Sequence, residues 1–265
     1  MTPGAAAHHA GHRIAVHDTL GSTNDAAAAA ARAGDPGGLW VVARSQTGGR
    51  GRGGRTWVSP PGNLYASLFL REPCPPALAP QLGFVAGVAL HAAVSLVTAA
   101  TPGRLALKWP NDLLLDGAKV AGILVEGSSG GGQTFVVIGI GVNIASHPSD
   151  TPYPATDLAA AGLATAPDTL FGALSDALAT GLARWQSGAG FADVRRAWLA
   201  AAGGVGQTVT VRRPDGERRG IFVDLDADGR LLLAEAGQTH AISAGDVFLT
   251  QAGPAPAARP ATSGD

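Results

Sequence analysis

The sequence predicts an α+β protein in which a mixed, mostly antiparallel sheet is covered by helices and followed by a small C-terminal β-barrel. Three observations carry that prediction. Four short apolar runs, Arg104 to Trp109, Asp112 to Leu115, Lys119 to Glu126 and Thr134 to Ile144, are separated only by Pro-Asn-Asp, by Asp116-Gly117 and by a Ser/Gly stretch, as strands joined in hairpins are. Residues 168–187 and 190–202 instead carry apolar positions at helical spacing, Leu170, Leu174, Leu178 and Leu182 among them, and are expected to cover the sheet. After Gly203-Gly204 the pattern changes again. Residues 207–250 hold five short strand-like runs separated by turns such as Pro214-Asp215-Gly216 and Ala227-Asp228-Gly229, which suggests a small barrel.

Taken from the N-terminus, residues 1–12 read as a disordered leader of Ala, Gly and His, without the apolar stretch of a signal peptide. Ser22-Thr23-Asn24-Asp25 before an Ala run has the form of a helix start, with Ser22 as cap and Asp25 as the capping-box acid; Gly34-Asp35-Pro36-Gly37 stops that helix. Leu39 to Ala43 and Leu64 to Leu70 read as strands flanking a Gly/Arg loop at 46–56, and 77–100 as an apolar helix. The stretch Leu82 to Ala100 is long enough to be weighed as a membrane span, but His91, Ser95, Thr98 and its Ala, Val and Gly content point to a buried helix. The resulting division is 1–12 leader, 13–203 first domain, 204–251 barrel and 252–265 a disordered Pro/Ala tail.

Composition narrows the function. Of 265 residues 46% are hydrophobic, enough for a large core, and the formal net charge of −1 argues against a surface that clings as a whole to nucleic acid or to anionic lipid. A single cysteine, Cys74, excludes intrachain disulfides and Cys-based zinc sites and fits a reducing, cytoplasmic setting. The seven His residues form no convincing ligand set, so no protein metal ligands are expected. The cations themselves are unusual: Lys+Arg totals 19, yet only Lys108 and Lys119 are lysines. A chain that otherwise uses Arg for its cations suggests that these two positions need a compact ammonium.

Three segments carry chemistry. From Gln46 to Arg55 the chain reads QTGGRGRGGR, five Gly and three Arg without an acid; glycines let backbone N–H groups approach a phosphate and guanidinium forks match its oxygens. The same composition suits a segment that binds RNA without specificity, and its glycine content implies disorder before a ligand arrives. Lys108-Trp109-Pro110-Asn111-Asp112 places a lysine at a strand end before a turn fixed by Pro110, which would hold Lys108 in one direction. Gly139-Ile140-Gly141-Val142-Asn143 puts two glycines in a strand, where a ligand or another backbone comes close, with Asn143 offering a donor and an acceptor.

These segments, together with Ser22-Thr23-Asn24, Trp57 and Ala121-Gly122-Ile123-Leu124-Val125-Glu126, resemble the biotin protein ligases over about residues 14–250. The resemblance implies a class II synthetase-like catalytic domain with an SH3-like C-terminal barrel. It also implies an activity: biotin and ATP, with Mg²⁺, give biotinyl-5′-AMP, and the biotinyl group passes to a lysine of a biotin carboxyl carrier domain of an acyl-CoA carboxylase. By the same resemblance Ser22, Thr23, Asn24, Gln46, Arg50, Gly51, Arg52, Lys108 and Gly122 would bind biotin. Arg50, Arg52, Arg55, Trp57, Lys108, Asn111 and Asn143 would bind ATP or the adenylate, and Lys108 and Arg50 would be catalytic, with Lys108 stabilising charge in both steps. Lys119 receives no role.

The catalytic pattern starts by about residue 14, leaving no room for the winged-helix domain of bifunctional members, so no DNA binding is expected. Sheet-to-sheet homodimers occur in the family. A lipoate or octanoate ligase or transferase of the same fold is the nearest rival, the transferases needing a catalytic Cys; a Gly/Arg-loop RNA-binding module is the rival of another class.

Overall fold

The long apolar runs form strands buried on both faces. In the computed structural model, which describes residues 1–130 and 133–249, strand β2 (Leu39–Gln46) sends Trp40 and Val42 into the main core, and Leu39 and Val41 into a second, smaller one. Strand β3 (Leu64–Arg71) alternates the same way, with Leu64, Ala66 and Leu68 on one face and Phe69 on the other. Strands β4 (Leu105–Lys108), β5 (Asp112–Leu115), β6 (Ala118–Gly130) and β7 (Gln133–Val142) complete a sheet in the order β1-β2-β3-β7-β6-β5-β4. All neighbours are antiparallel except β1 (Arg13–Leu20), which pairs parallel to β2 at one edge. The sheet is therefore mixed and mostly antiparallel, as expected; β1, largely exposed and polar after Val16, has too weak an alternation to be read in the sequence.

One face carries helix α3 (Gln81–Thr98), α4 (Pro167–Trp185) and α5 (Phe191–Ala200). The apolar stretch at 82–100 is thus a core helix: Leu82, Val85, Ala86, Leu90 and Val94 are almost fully buried. Leu170, Leu174 and Leu178 of α4 are buried too, and Phe171 meets the Trp40 ring edge-on at 5.3 Å. The other face carries only α2 (Thr23–Arg32), whose Ala27 and Ala31 let it lie close on Val41, Phe69 and Val137. Ser22 caps α2, its Oγ accepting from Asp25 N at 3.4 Å.

Residues 1–12 are not a loose leader. Helix α1 (Ala5–His9) docks on α4: Gly4 N donates to Ser175 Oγ at 2.9 Å, Ala7 N to Asp176 Oδ1 at 3.0 Å, and the terminal ammonium lies 3.2 Å from Asp168. The small Gly and Ala side chains allow this close approach, with Ala7 fully buried. The expected tail at 252–265 lies outside the described residues.

The C-terminal strands β8 (Thr208–Arg213), β9 (Gly216–Leu225), β10 (Leu231–Glu235), β11 (Gln238–Ile242) and β12 (Asp246–Leu249) form one antiparallel sheet in the order β11-β10-β9-β8-β12. This unit is seated on the first domain rather than tethered to it. Trp109 Nε1 donates to Gly229 O at 3.1 Å, and Phe84 and Phe191 pack beneath Gly229. The consequence for function is that β12 stands beside the Gly/Arg loop.

Candidate active site

The site forms on the α2 face, where the sheet has no side chains to fill it. Gly122 of β6 and Gly139 and Gly141 of β7 leave a bare strip, and protein side chains occupy much of it. A Cβ at Gly141 would stand 2.6 Å from Trp57 Nε1, and one at Gly139 would stand 2.2 Å from Asn24 Oδ1. The close approach read from the two glycines is therefore made by Trp57 and Asn24. The Trp57 indole N–H is itself buried and without a partner.

The N-terminus of α2 forms one wall. Thr23 donates to Gln46 Oε1 from both its backbone N, at 2.8 Å, and its Oγ1, at 3.1 Å, while Gln46 Nε2 donates to Ser59 Oγ at 2.9 Å. Ser67, fully buried in β3, donates towards Thr23 Oγ1 and Asn24 Oδ1. Asn24 Nδ2 in turn donates to Glu126 Oε2 at 2.7 Å. Behind these, Tyr65 gives its hydroxyl proton to Pro60 O at 2.8 Å, and burial pushes its phenol up to about 12.

The Gly/Arg loop is folded over the strip and held by the protein's own carboxylates, contrary to the disorder its glycines imply. Arg50 reaches Asp25 Oδ2 at 2.6 Å and Glu126 at 3.2 Å, so Asp25 serves the loop rather than closing a capping box. Arg52 donates to Asn111 Oδ1 at 3.2 Å and to Gly245 O at 3.3 Å; Arg55 makes a two-pronged contact with Asp246 of β12 at 3.0 and 3.1 Å. Asn111 is fixed from behind by its Nδ2 donating to Ile123 O at 2.7 Å. The three loop arginines thus line the pocket, Arg50 and Arg55 from exposed positions, and between them reach partners in both domains.

Ser22, Thr23, Asn24, Gln46, Arg50, Gly51, Arg52, Arg55, Trp57, Asn111 and Gly122 all line one pocket. Lys108 and Asn143 do not. Asn143 is 3% exposed; its side-chain Nδ2 donates to Thr156 O at 3.1 Å and its backbone carbonyl accepts from Leu158 N at 3.1 Å, fixing the segment after β7. Lys108 stands one strand too far out: β4, β5 and β6 align Lys108 with Asp112 and Asp112 with Gly122, so Asp112 separates Lys108 from the strip. The lysine that lines the pocket is Lys119. Its Nζ lies 2.7 Å from Asp112 Oδ1, off the line of a good hydrogen bond, and 5.4 and 5.2 Å from the ring centres of Trp57 and Tyr153.

Sequence alternation hides Lys119. Along β6 it would share a face with Ala121 and Ile123, which are core residues; a bulge opposite Leu113 and Leu114 lets Val120 and Ala121 both enter the core and turns Lys119 to the pocket side. Tyr65, Tyr153 and Asp246 carry no signal in the sequence because each is brought in by pairing or docking over long separations, and Asp112, within the Lys108–Asp112 segment, acquires its two lysine partners only through the pairing of β4, β5 and β6. Burial alone would push the Asp112 carboxyl up, but Lys119 and Lys108 together hold it below the usual carboxylate range. Around the pocket Arg50, Arg52, Arg55, Lys108 and Lys119 face four carboxylates, Asp25, Glu126, Asp112 and Asp246. The excess of one cation suits an anionic ligand.

Among the described residues no group of three His, Cys, Asp or Glu side chains converges as a metal site, and Asp112 and Asp246 are both engaged by cations. These residues do not fit a resident metal held by protein ligands.

Comparison with known proteins places the chain in a family. The model of the biotin/lipoate A/B protein ligase family matches residues 20–143, and that of the biotin protein ligase C-terminal domain matches 204–250. A biotin–[acetyl-CoA-carboxylase] ligase of Paracoccus denitrificans is 43% identical over 223 residues, 80% of this chain and 90% of its own length; one from Mycobacterium tuberculosis is 37% identical, covering 86% and 85%. Among solved structures, the Leishmania major biotin protein ligase in complex with biotinyl-5-AMP has 29% identity, a TM-score of 0.61 and coverage of 88% and 99%. The Aquifex aeolicus enzyme in complex with biotin and ATP, at 24% identity and a TM-score of 0.76 over 90% and 98%, shares the fold. With both family models matched and two relatives aligned over most of their own length, the chain belongs to the biotin protein ligase family.

Proposed function

We propose that this protein activates biotin with ATP to biotinyl-5′-AMP and pyrophosphate, and then transfers the biotinyl group to a lysine of a biotin carboxyl carrier domain. The observation that carries the reading is Lys119, the ammonium on the pocket side of the sheet, facing a loop that brings three arginines to the same pocket.

Joining a carboxylate to a phosphate brings two anions together, so most of the catalytic work is neutralisation and alignment. Lys119 is proposed to stand beside the biotin carboxylate and the α-phosphate, with Arg52 and Arg55 towards the phosphate end and Arg50, anchored by Asp25 and Glu126, holding the loop down. Ser22, Thr23, Asn24 and Gln46 line the end suited to the polar ureido group, and Trp57 supplies the apolar cover. In the first step a carboxylate oxygen attacks the α-phosphorus and pyrophosphate leaves. In the second, an acceptor amine attacks the acyl carbon and AMP leaves, with Lys119 stabilising the oxyanion and the departing phosphate in turn. Mg²⁺ would enter with ATP and would supply charge neutralisation at the phosphates. A cytoplasmic setting accords with the single free cysteine.

The rivals lose support on geometry. An RNA-binding loop displays its arginines outward, whereas Arg50, Arg52 and Arg55 are bonded to carboxylates, an amide and a carbonyl within the protein. Cys74, the thiol a transferase would need, lies outside this pocket, and burial pushes its pKa up, away from a thiolate. The direct test is to incubate the protein with biotin, ATP and Mg²⁺ and look for biotinyl-5′-AMP by mass spectrometry. Absence of that species from folded protein would overturn the reading.

A further inference from the structure

Five cations surround the pocket, and their carboxylates are unequally shared. Arg50 has two, Asp25 and Glu126. Arg52 and Arg55 share Asp246. Lys108 and Lys119 share Asp112, at 3.2 and 2.7 Å, and this is the most enclosed of the groups: the three side chains are 13%, 12% and 9% exposed. Both ammoniums also sit over the Tyr153 ring, at 5.3 and 5.2 Å.

A buried Asp112–Lys119 pair by itself would be neutral, and Lys119 would offer an anionic ligand little net charge. Lys108 changes that balance from the neighbouring strand without lining the pocket. We infer that Lys108 is a positioning residue: by neutralising Asp112 from behind, it leaves the Lys119 ammonium uncompensated towards the pocket, so the site selects a carboxylate over an uncharged group. This inference rests on the ligase reading, in which biotin's carboxylate meets Lys119. It gives the second of the two lysines a use that touches no substrate.

The test compares biotin with biotinol, the uncharged alcohol that keeps the ring system and chain, binding to full-length wild type, Lys108→Met, Lys108→Arg and the double variant Lys108→Met/Asp112→Asn. A unit charge removed about 6 Å from a carboxylate in an environment of intermediate dielectric weakens binding by roughly 10- to 100-fold. Lys108→Met is therefore expected to lose about that much affinity for biotin and little for biotinol, whose binding also reports that the pocket is folded. Lys108→Arg, which keeps the charge, is expected to bind biotin at least about tenfold better than Lys108→Met. The double variant, in which the Asp112 charge is gone and Lys119 is again uncompensated, is expected to recover most of the loss.

Equal losses for biotin and biotinol in Lys108→Met would overturn the inference, as would a double variant that binds biotin no better than the single one. Neither result would touch the ligase reading, which stands or falls on biotinyl-5′-AMP formation by the wild type.

Discussion

Replacing Gly139 with alanine puts the packing of the site to a quantitative test. The new Cβ would stand 2.2 Å from Asn24 Oδ1, 2.9 Å from its Cγ and 3.0 Å from its Nδ2. A carbon and an oxygen in ordinary contact are about 3.3 Å apart, so the Asn24 amide must shift by roughly 1 Å. Asn24 is only 5% exposed and is held between Glu126 and Ser67, which resist the move. The shift breaks its 2.7 Å bond to the Glu126 carboxylate and its 2.6 Å bond from Ser67, although Ser67 can turn its proton to Thr23. Loss of the charge-assisted bond costs about 1.5–3 kcal/mol and crowding a close-packed site about 1–3 kcal/mol, which together give about 2.5–6 kcal/mol. Urea denaturation of wild type and Gly139→Ala measures this directly, and the melting temperature should fall by roughly 10 °C. Asn24→Ala removes the obstructed group, so Gly139→Ala added to Asn24→Ala should cost at least about 1 kcal/mol less than in the wild-type background. Additive effects, or a Gly139→Ala variant within about 0.5 kcal/mol of wild type, would refute the account of the glycine strip.

Two further outcomes follow from the same site. Lys119→Met should lower the rate of biotinyl-5′-AMP formation by about 10²–10³ in single-turnover measurements, the range for loss of one preorganised donor, with little loss of melting temperature; near-normal adenylate synthesis would remove Lys119 from the mechanism. Tyr65 supplies a pH signature. Its phenol is raised from 10.0 to about 12 in the folded protein, so the neutral form favours folding: that contribution is complete below about pH 10 and disappears as pH climbs towards about 12. Denaturation midpoints measured across that window should fall more steeply for wild type than for Tyr65→Phe, and parallel curves would contradict the buried phenol.

Much of this protein was determined locally and could be read from its sequence. The strands at 39–43, 64–70 and 112–115 declare themselves because their apolar runs are bounded by glycine, proline and Asp-Gly turns. The hairpin at Asp116-Gly117 appears as read, with φ of 50° and 83°, because backbone at positive φ selects those residues. The clustering of the three loop arginines is legible for the same reason, since they stand in adjacent residues, and the structure brings all three to one pocket. The wall formed by Ser22, Thr23, Asn24 and Gln46 was reached through the resemblance and then met in space.

What the tertiary structure decided is which charges meet. Lys108 and Lys119 are indistinguishable by composition, and the motif around Lys108 is the more conspicuous of the two. Their positions separate only when β4, β5 and β6 pair, setting Asp112 between Lys108 and the glycine strip, and when a one-residue bulge turns Lys119 from the core face to the pocket. Asp246 reaches Arg55 across 191 positions, through docking of the C-terminal sheet. A sequence records the period of a strand; register, bulges and docking depend on contacts summed over both partners, and they set which side of a sheet a charge faces.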